Sequence, residues 1–392
     1  MPSSILTVMS GVGIASVIYS ASVIAVLRIP WIENHAVYMH RLRLIGQRNL
    51  NHPEQFGFAH RQVTPFFIHT KDGIKLHAWH VLPIGLYYKH ATELLSQAKS
   101  PSTEDEFENT LNFKLLREDP EARLVIHTHG SSGALAAYSR PDAYRSLSAL
   151  APDKIHVLAF DYRGFGLSSG SPSEEGLLAD AYAVFDWATQ VAGIPASRIV
   201  IFGQSMGAGV AVALTRDLAL QKVINAGLII TGAFPDVRTM LVEYRSFFGL
   251  RPFGLLASFP GLMDMCTRGM RNQWKNRDAL ADMVKCGTDY HVQIFHAQDD
   301  PIVPWGLSNG FFECAVRAAS HESMSREDYE KEKSRRRTDM DEGGWKVEWP
   351  TSNGHIRQEV PRYGNHDKIM AHPQIAMAVM RAFQYRDPMF EG

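Results

Sequence analysis

The chain has 392 residues, 45% of them hydrophobic and 21% charged, the proportions of an ordinary globular protein long enough for a large core. Forty Lys and Arg against 41 Asp and Glu leave a formal charge of −1, which excludes a strongly basic nucleic-acid binder and an acidic disordered chain. Three cysteines (Cys266, Cys286 and Cys314) without C-x-x-C spacing exclude a disulfide framework, and at roughly 150 residues per domain the length predicts two to three domains.

The first predicted element is apolar. No charged residue occurs from Pro2 to Leu27, and Ile5–Leu27 is almost continuously hydrophobic or small. A helix over that run spans about 35 Å at ~1.5 Å per residue, enough for a bilayer core. A cleaved signal peptide would start with basic side chains and be shorter, and a buried soluble helix would show a polar face. The expectation is a transmembrane anchor over residues 1–28, with those two readings as its competitors. Arg28, Arg41, Arg43 and Arg48 follow the span and no basic side chain precedes it, so the positive-inside rule leaves the bulk of the chain cytosolic. The lack of an Asn-x-Ser/Thr acceptor agrees with that side.

Residues 29–60 are rich in His and Arg and read as a juxtamembrane helix or linker. Strands are predicted at Pro65–Thr70, Leu76–Leu82, Arg123–His127, Ile155–Phe160, Ile199–Phe202, Leu228–Thr231 and Val292–His296. The last five are short, apolar and β-branched, as expected of parallel strands covered on both faces. Helical patterns at Glu174–Val191 and Met206–Leu218 separate some of them. The alternation predicts an α/β fold with a mainly parallel central sheet flanked by helices. Three stretches interrupt it. Residues 86–120 are polar and read as an insertion over the sheet edge. Residues 234–287 are rich in Phe, Met and Leu and read as a cap insertion, with extra core helices as the competing reading. Residues 318–344 are a charged run, expected as a solvated surface excursion.

The chemistry begins at Gly203-Gln204-Ser205-Met206-Gly207, between a predicted strand and a predicted helix. Glycines permit the tight turn that lifts a serine hydroxyl clear of its strand, and the helix N-terminus is aimed at it. An alcohol is a poor nucleophile near neutral pH and needs a base, itself oriented by an acid. Downstream, Asp299 and Asp300 follow the strand Val292–His296. Asp300, immediately before Pro301-Ile302-Val303-Pro304, is the better placed, with Asp299 as alternative. His366, in Gly364-Asn365-His366-Asp367, is the expected base and His355 its rival; His372 is expected to start a helix, and His321 also lies downstream. An oxyanion needs fixed amide donors, each worth on the order of 10²–10³ in rate. The amide of Met206 is one, and Ser131, in His129-Gly130-Ser131-Ser132-Gly133, is the expected second. No metal or cofactor is needed, and no H-E-x-x-H pair or phosphate-binding glycine loop is present.

With these segments in order, the chain resembles the α/β-hydrolase superfamily. Thr70-Lys71-Asp72-Gly73, Leu76–Pro83 and Asp161-Tyr162-Arg163-Gly164-Phe165-Gly166, together with the N-terminal span, resemble its membrane-anchored α/β-hydrolase domain-containing protein 12 branch. The resemblance runs from about residue 65 to 383. It implies one hydrolase domain over 61–392, with the cap at 234–287 as an insertion, and a lipid ester as substrate: a monoacylglycerol or lysophospholipid at a membrane surface. It matches Ser205 to the nucleophile, His366 to the general base, Asp300 to its orienting acid, and Ser131 with Met206 to the oxyanion hole. The Asp161–Gly164 segment matches a structural loop, with no catalytic role for Arg163. The resemblance also implies the endoplasmic reticulum membrane with the domain on the lumenal side, opposite to the positive-inside reading. An acyl-protein thioesterase would use the same triad, and a catalytically silent binding or scaffolding protein is the alternative from another class.

Overall fold

The structure is a computed structural model that describes residues 19, 22, 29–96, 107–243, 260–320, 324–340 and 343–391. Apart from Tyr19 and Ser22, the expected anchor lies outside the described residues. Among those described, no helix is long and apolar enough to cross a membrane.

Ten strands form one sheet: β1 (Val63–His69), β2 (Lys75–Val81), β3 (Arg123–Thr128), β4 (Ile155–Phe160), β5 (Ile199–Gln204), β6 (Gly227–Thr231), β7 (Tyr290–Phe295), β8 (Arg337–Asp339), β9 (Trp345–Pro350) and β10 (Gly354–Val360). Their order is β1-β2-β4-β3-β5-β6-β7-β10-β9-β8. The six from β4 to β10 are parallel, and antiparallel pairs finish both edges. All residues of β3 to β7 are buried, because helices cover both faces. Successive side chains serve opposite layers: Ile126, Ile201 and Ile230 enter one core, and Val125, Val200 and Ile229 the other.

The helices used below are α1 (Pro30–Tyr38), α2 (Arg140–Ser148), α3 (Glu174–Asp186), α4 (Met206–Leu220), α5 (Val237–Glu243), α6 (Pro260–Arg268), α7 (Asn276–Lys285), α8 (Leu307–Ala319), α9 (Arg326–Arg336) and α10 (Pro373–Arg386). Leu177 of α3, Val210 of α4 and Leu280 of α7 belong to the first core layer, while Tyr144 of α2 and Val379 of α10 belong to the second.

Three regions add to the expected picture. The charged run contains α9 and β8, so it extends the sheet instead of only covering its surface. Its anchor is Tyr329, 1% exposed and stacked on Trp349, while Lys333 lies over the rings of Phe312 and Trp345. β9 and β10 were not predicted. The polar run of β10 is the reason: Arg357 and Glu359 are buried as a 2.6 Å ion pair, and buried Gln358 donates to Ser308 Oγ at 3.1 Å. Residues 29–60 are packed on the domain. Tyr38 joins one core layer, and Leu50, Phe56 and Phe58 join the other.

Candidate active site

Ser131, Ser205, Met206, Asp299, Asp300 and His366 all follow the carboxyl ends of parallel strands. β5 runs into Ser205, whose φ of +54° and ψ of −119° lie outside the regions open to most side chains. The flanking glycines are required by close approach. A Cβ on Gly207 would collide with the carbonyls of Thr128 and His129, and one on Gly203 with the backbone of Gly207 and Ala208. Ser205 N–H donates to Thr231 C=O at 2.8 Å, tying the turn to the end of β6.

The next residue on β6's exit, Gly232, faces the histidine. A Cβ there would stand 3.0 Å from His366 Cε1 and 3.8 Å from Asp300 Oδ2. His366 Nδ1–H donates to Asp300 Oδ2 at 2.7 Å. Asp300 is held in turn by the amides of Ile302 (2.8 Å) and Val303 (2.9 Å) on Oδ1, and by His296 Nε2–H on Oδ2 at 3.1 Å. Asp299 instead accepts the amide of Asn365 at 2.8 Å, bracing the loop and leaving the imidazole to its neighbour. His355 lies on β10 beside Glu348, 3.0 Å away, and His372 caps α10; His321 is outside the described residues.

Burial would push the Asp300 carboxyl up, but the charge of His366 and the donors from His296 and His366 hold it well below the usual carboxylate range. Burial pushes the His366 imidazole down; the Asp300 charge and hydrogen bond reverse this and leave it above its ordinary value, with Asp367 adding to the rise and Arg140 opposing it. The structure therefore holds a carboxylate next to an imidazole whose proton on Nδ1 is set. Nε2 is left as the acceptor.

Gly130 lies against Ser205: a Cβ on it would be 3.1 Å from Ser205 Cβ. Among the described residues, the amides of Ser131 and Met206 have no acceptor within the chain. They are thus available as donors beside the serine. Tyr162 O–H donates to the His129 carbonyl at 3.1 Å, and Asp161 accepts the Leu135 amide at 2.7 Å, so the Asp161–Gly164 loop buttresses this one. Arg163 pairs with Asp72 and Asp180.

Three side chains that sequence reasoning left unassigned hold the loops together. Gln204 Oε1 accepts the Gly130 amide at 3.0 Å, while its Nε2 donates at 3.4 Å to the His366 carbonyl and to Asp367. Arg140, 1% exposed, donates to the carbonyls of Ala134 (2.6 Å), Gly130 (3.2 Å) and Ser132 (3.1 Å). His296 Nε2–H also points at Val303 C=O at 3.0 Å, and its Nδ1 has no partner among the described residues. The partners of Gln204 lie 74 to 163 positions away, and those of Arg140 and His296 are reached only through the folding of nearby loops, so no motif names them.

A cleft of about 720 Å³ separates α5 from α6, lined by Val237, Val242, Met263 and Met270 among charged neighbours. Neither Ser205 nor His366 lines it. Among the described residues, no three His, Cys, Asp or Glu side chains are grouped to hold a metal ion.

A family model described as the alpha/beta hydrolase family matches residues 124–335. Curated relatives include lysophosphatidylserine lipase ABHD12 of Danio rerio, 28% identical over 77% of this chain and 71% of the relative. The protein of that name from Gallus gallus is 28% identical over the same shares. Protein ABHD12B of Homo sapiens is 26% identical over half of each chain. Among solved structures, an alpha-beta hydrolase from Vibrio vulnificus superposes with a TM-score of 0.56 at 16% identity, covering 89% of this chain and 92% of that one. The Pyrococcus furiosus esterase Pf2001 gives 0.52 at 16% identity, covering 89% and 97%. At those identities the structures show the fold alone. The sequence comparison makes the chain a distant relative, over most of its length, of lysophosphatidylserine lipases.

Proposed function

The chain belongs to the alpha/beta hydrolase family, and from that premise we propose that it is a serine hydrolase cleaving carboxylic esters of lipids, monoacylglycerols or lysophospholipids. The observation that carries the reading is the 2.7 Å bond from His366 to Asp300 beside the strained turn of Ser205. The names of the curated relatives, lysophosphatidylserine lipases, support the substrate class.

Ser205 Oγ attacks the ester carbonyl while His366 Nε2 takes its proton. The amides of Met206 and Ser131 receive the charge that develops on the carbonyl oxygen. Asp300 keeps the proton on Nδ1 and stabilises the imidazolium. His366 then protonates the leaving alcohol, and a water activated by the same imidazole releases the acid. The proposal places residues 1–28 in the membrane as a single anchor, in the endoplasmic reticulum, and assigns 234–287 to a cap over the acyl pocket.

Turnover of monoacylglycerols, lysophospholipids and acyl thioesters by the purified chain tests the substrate class. Lipid oxyesters are expected to turn over faster than acyl thioesters. A clear preference for thioesters would overturn it.

Gln204 is expected to matter as a positioning residue. Gln204→Met keeps the volume but leaves the Gly130 amide and the His366 carbonyl without their partner. Misplacing catalytic groups by about 1 Å costs up to roughly 10²-fold in rate. On a soluble ester, kcat should fall with KM little changed; parental kcat would mean the loops are held without Gln204.

A further inference from the structure

We propose that Arg41-Leu42-Arg43-Leu44 is the surface by which the catalytic domain rests on an anionic lipid bilayer, with the oxyanion loop directly behind it. The inference rests on the membrane reading above and extends it to a named contact.

The backbone around this strap is used inward. Ser132 N–H donates to Tyr38 C=O at 2.9 Å, Gly133 N–H to Leu42 C=O at 2.5 Å, and Ala134 N–H to Arg43 C=O at 3.1 Å. Successive amides of the loop that begins at Gly130 and Ser131 are thus satisfied by the last residue of α1 and the segment that follows it. Helix α1 is itself pinned to the loop after α6. Buried Glu33 accepts the amides of Arg271 and Asn272 at 2.9 Å, and Tyr38 O–H donates to Asn272 at 2.6 Å.

The side chains of the strap point the other way. Arg41, Leu42, Arg43 and Leu44 are all exposed, the two leucines at 51% and 45%. Tyr138, 49% exposed, joins them from the loop side, where its hydroxyl lies 3.1 Å from Ser132 Oγ. Leu44 is held at φ +53°, a conformation unfavourable for a residue with a Cβ, while its side chain buries little within the domain. Exposed leucines alternating with arginines suit one environment: aliphatic carbon enters the acyl boundary while guanidinium groups stay among anionic headgroups. Position along the chain agrees. The uncharged run ends at Leu27, and exposed Ile29 and Trp31 lie between it and the strap. A protein partner would not require that proximity to an apolar span.

The consequence is a short route from bilayer to catalytic loop. Whatever orders Leu42 and Arg43 also orders the carbonyls that receive Gly133 and Ala134, two and three residues past the proposed oxyanion donor.

The test is hydrogen exchange on the full chain in nanodiscs of phosphatidylcholine alone or with phosphatidylserine, together with turnover of a nanodisc-embedded monoacylglycerol and a water-soluble short-chain ester. Peptides covering residues 40–46 and 132–138 should exchange more slowly with phosphatidylserine present. Arg41→Gln/Arg43→Gln should abolish that difference and lower turnover of the embedded ester about tenfold to thirtyfold, with the soluble ester unchanged. Leu42→Ser/Leu44→Ser should lower embedded turnover in the same way. Equal exchange in both lipids would overturn the proposal. So would a loss of soluble-ester turnover parallel to the embedded one, which would make the strap a scaffold only. Protection seen in native membranes but not in nanodiscs would make it a protein-binding face and overturn it too. If protection follows phosphatidylserine while neither ester is cleaved, the hydrolase reading fails and the surface stands.

Discussion

Ser205→Ala should lower ester hydrolysis by roughly 10⁶-fold, to what binding and the oxyanion donors supply without a nucleophile. The variant should also lose covalent labelling by a fluorophosphonate probe. Alanine removes one oxygen from a side chain that is 6% exposed and accepts no backbone bond, so the fold has no reason to change. Thermal unfolding should stay within about 0.5 kcal/mol of the parent. The small residue also suits the φ of +54° less badly than a branched one would. Labelling that persists in this variant would move the nucleophile elsewhere in the chain.

Asp300→Asn should cost about 10⁴-fold in kcat/KM, and Asp299→Asn less than tenfold. The large effect is one of tautomer. A carboxylate only accepts, so it keeps the proton on Nδ1 and Nε2 free. A carboxamide can offer N–H to Nδ1, which moves the proton to Nε2 and disables the base. His296 Nε2–H and two backbone amides already donate to Asp300, so the remaining geometry favours one acceptor site per donor. Asp299 serves Asn365 N–H, and its loss affects only loop placement. A large loss in Asp299→Asn with retention in Asp300→Asn would exchange their roles.

The pH profile adds a second readout. His366 must be neutral to act as base, and its pKa in the fold stands above the ordinary imidazole value of 6.5. Activity should therefore fall as pH drops through that raised pKa, with an acid limb above pH 6.5. In Asp300→Asn the supporting charge is gone, while burial and Arg140 continue to lower the pKa. The limb should move to lower pH while the ceiling collapses. An unchanged limb would mean that another group controls it.

Much of this architecture was legible along the chain. Buried parallel strands such as Ile155–Phe160 announce themselves by continuous apolar composition, and the predicted Ile155–Phe160 coincides with β4. The turn at Ser205 needs only its two glycines and the patterns on either side. β10 was illegible, because Arg357, Gln358 and Glu359 are buried polar residues whose cost is offset by partners on β9, α8 and β10 itself. A strand that satisfies its charges in three dimensions carries no apolar signature in one.

The candidate site divides in the same way. Composition, period and motif order led to Ser205, Asp300 and the Gly130 loop, which sit where a predicted strand ends and a turn must begin, and to His366, in the loop ahead of a helical pattern. The turn Pro301-Ile302-Val303-Pro304 already favoured Asp300 over Asp299, and the fold shows why: Asp300 Oδ2 faces His366 Nδ1 at 2.7 Å while Asp299 accepts the amide of Asn365. Gln204, Arg140, His296 and the Tyr38–Arg43 carbonyls have their importance only through partners that the fold brings within 3.5 Å. The near-neutral charge argued against nucleic acid from the start, but the two exposed arginines of the strap vanish in such an average. Short-range chemistry follows from neighbours in sequence. Buried polar networks follow from neighbours in space, because burial is what makes an unpaired donor or acceptor costly and its partner worth holding.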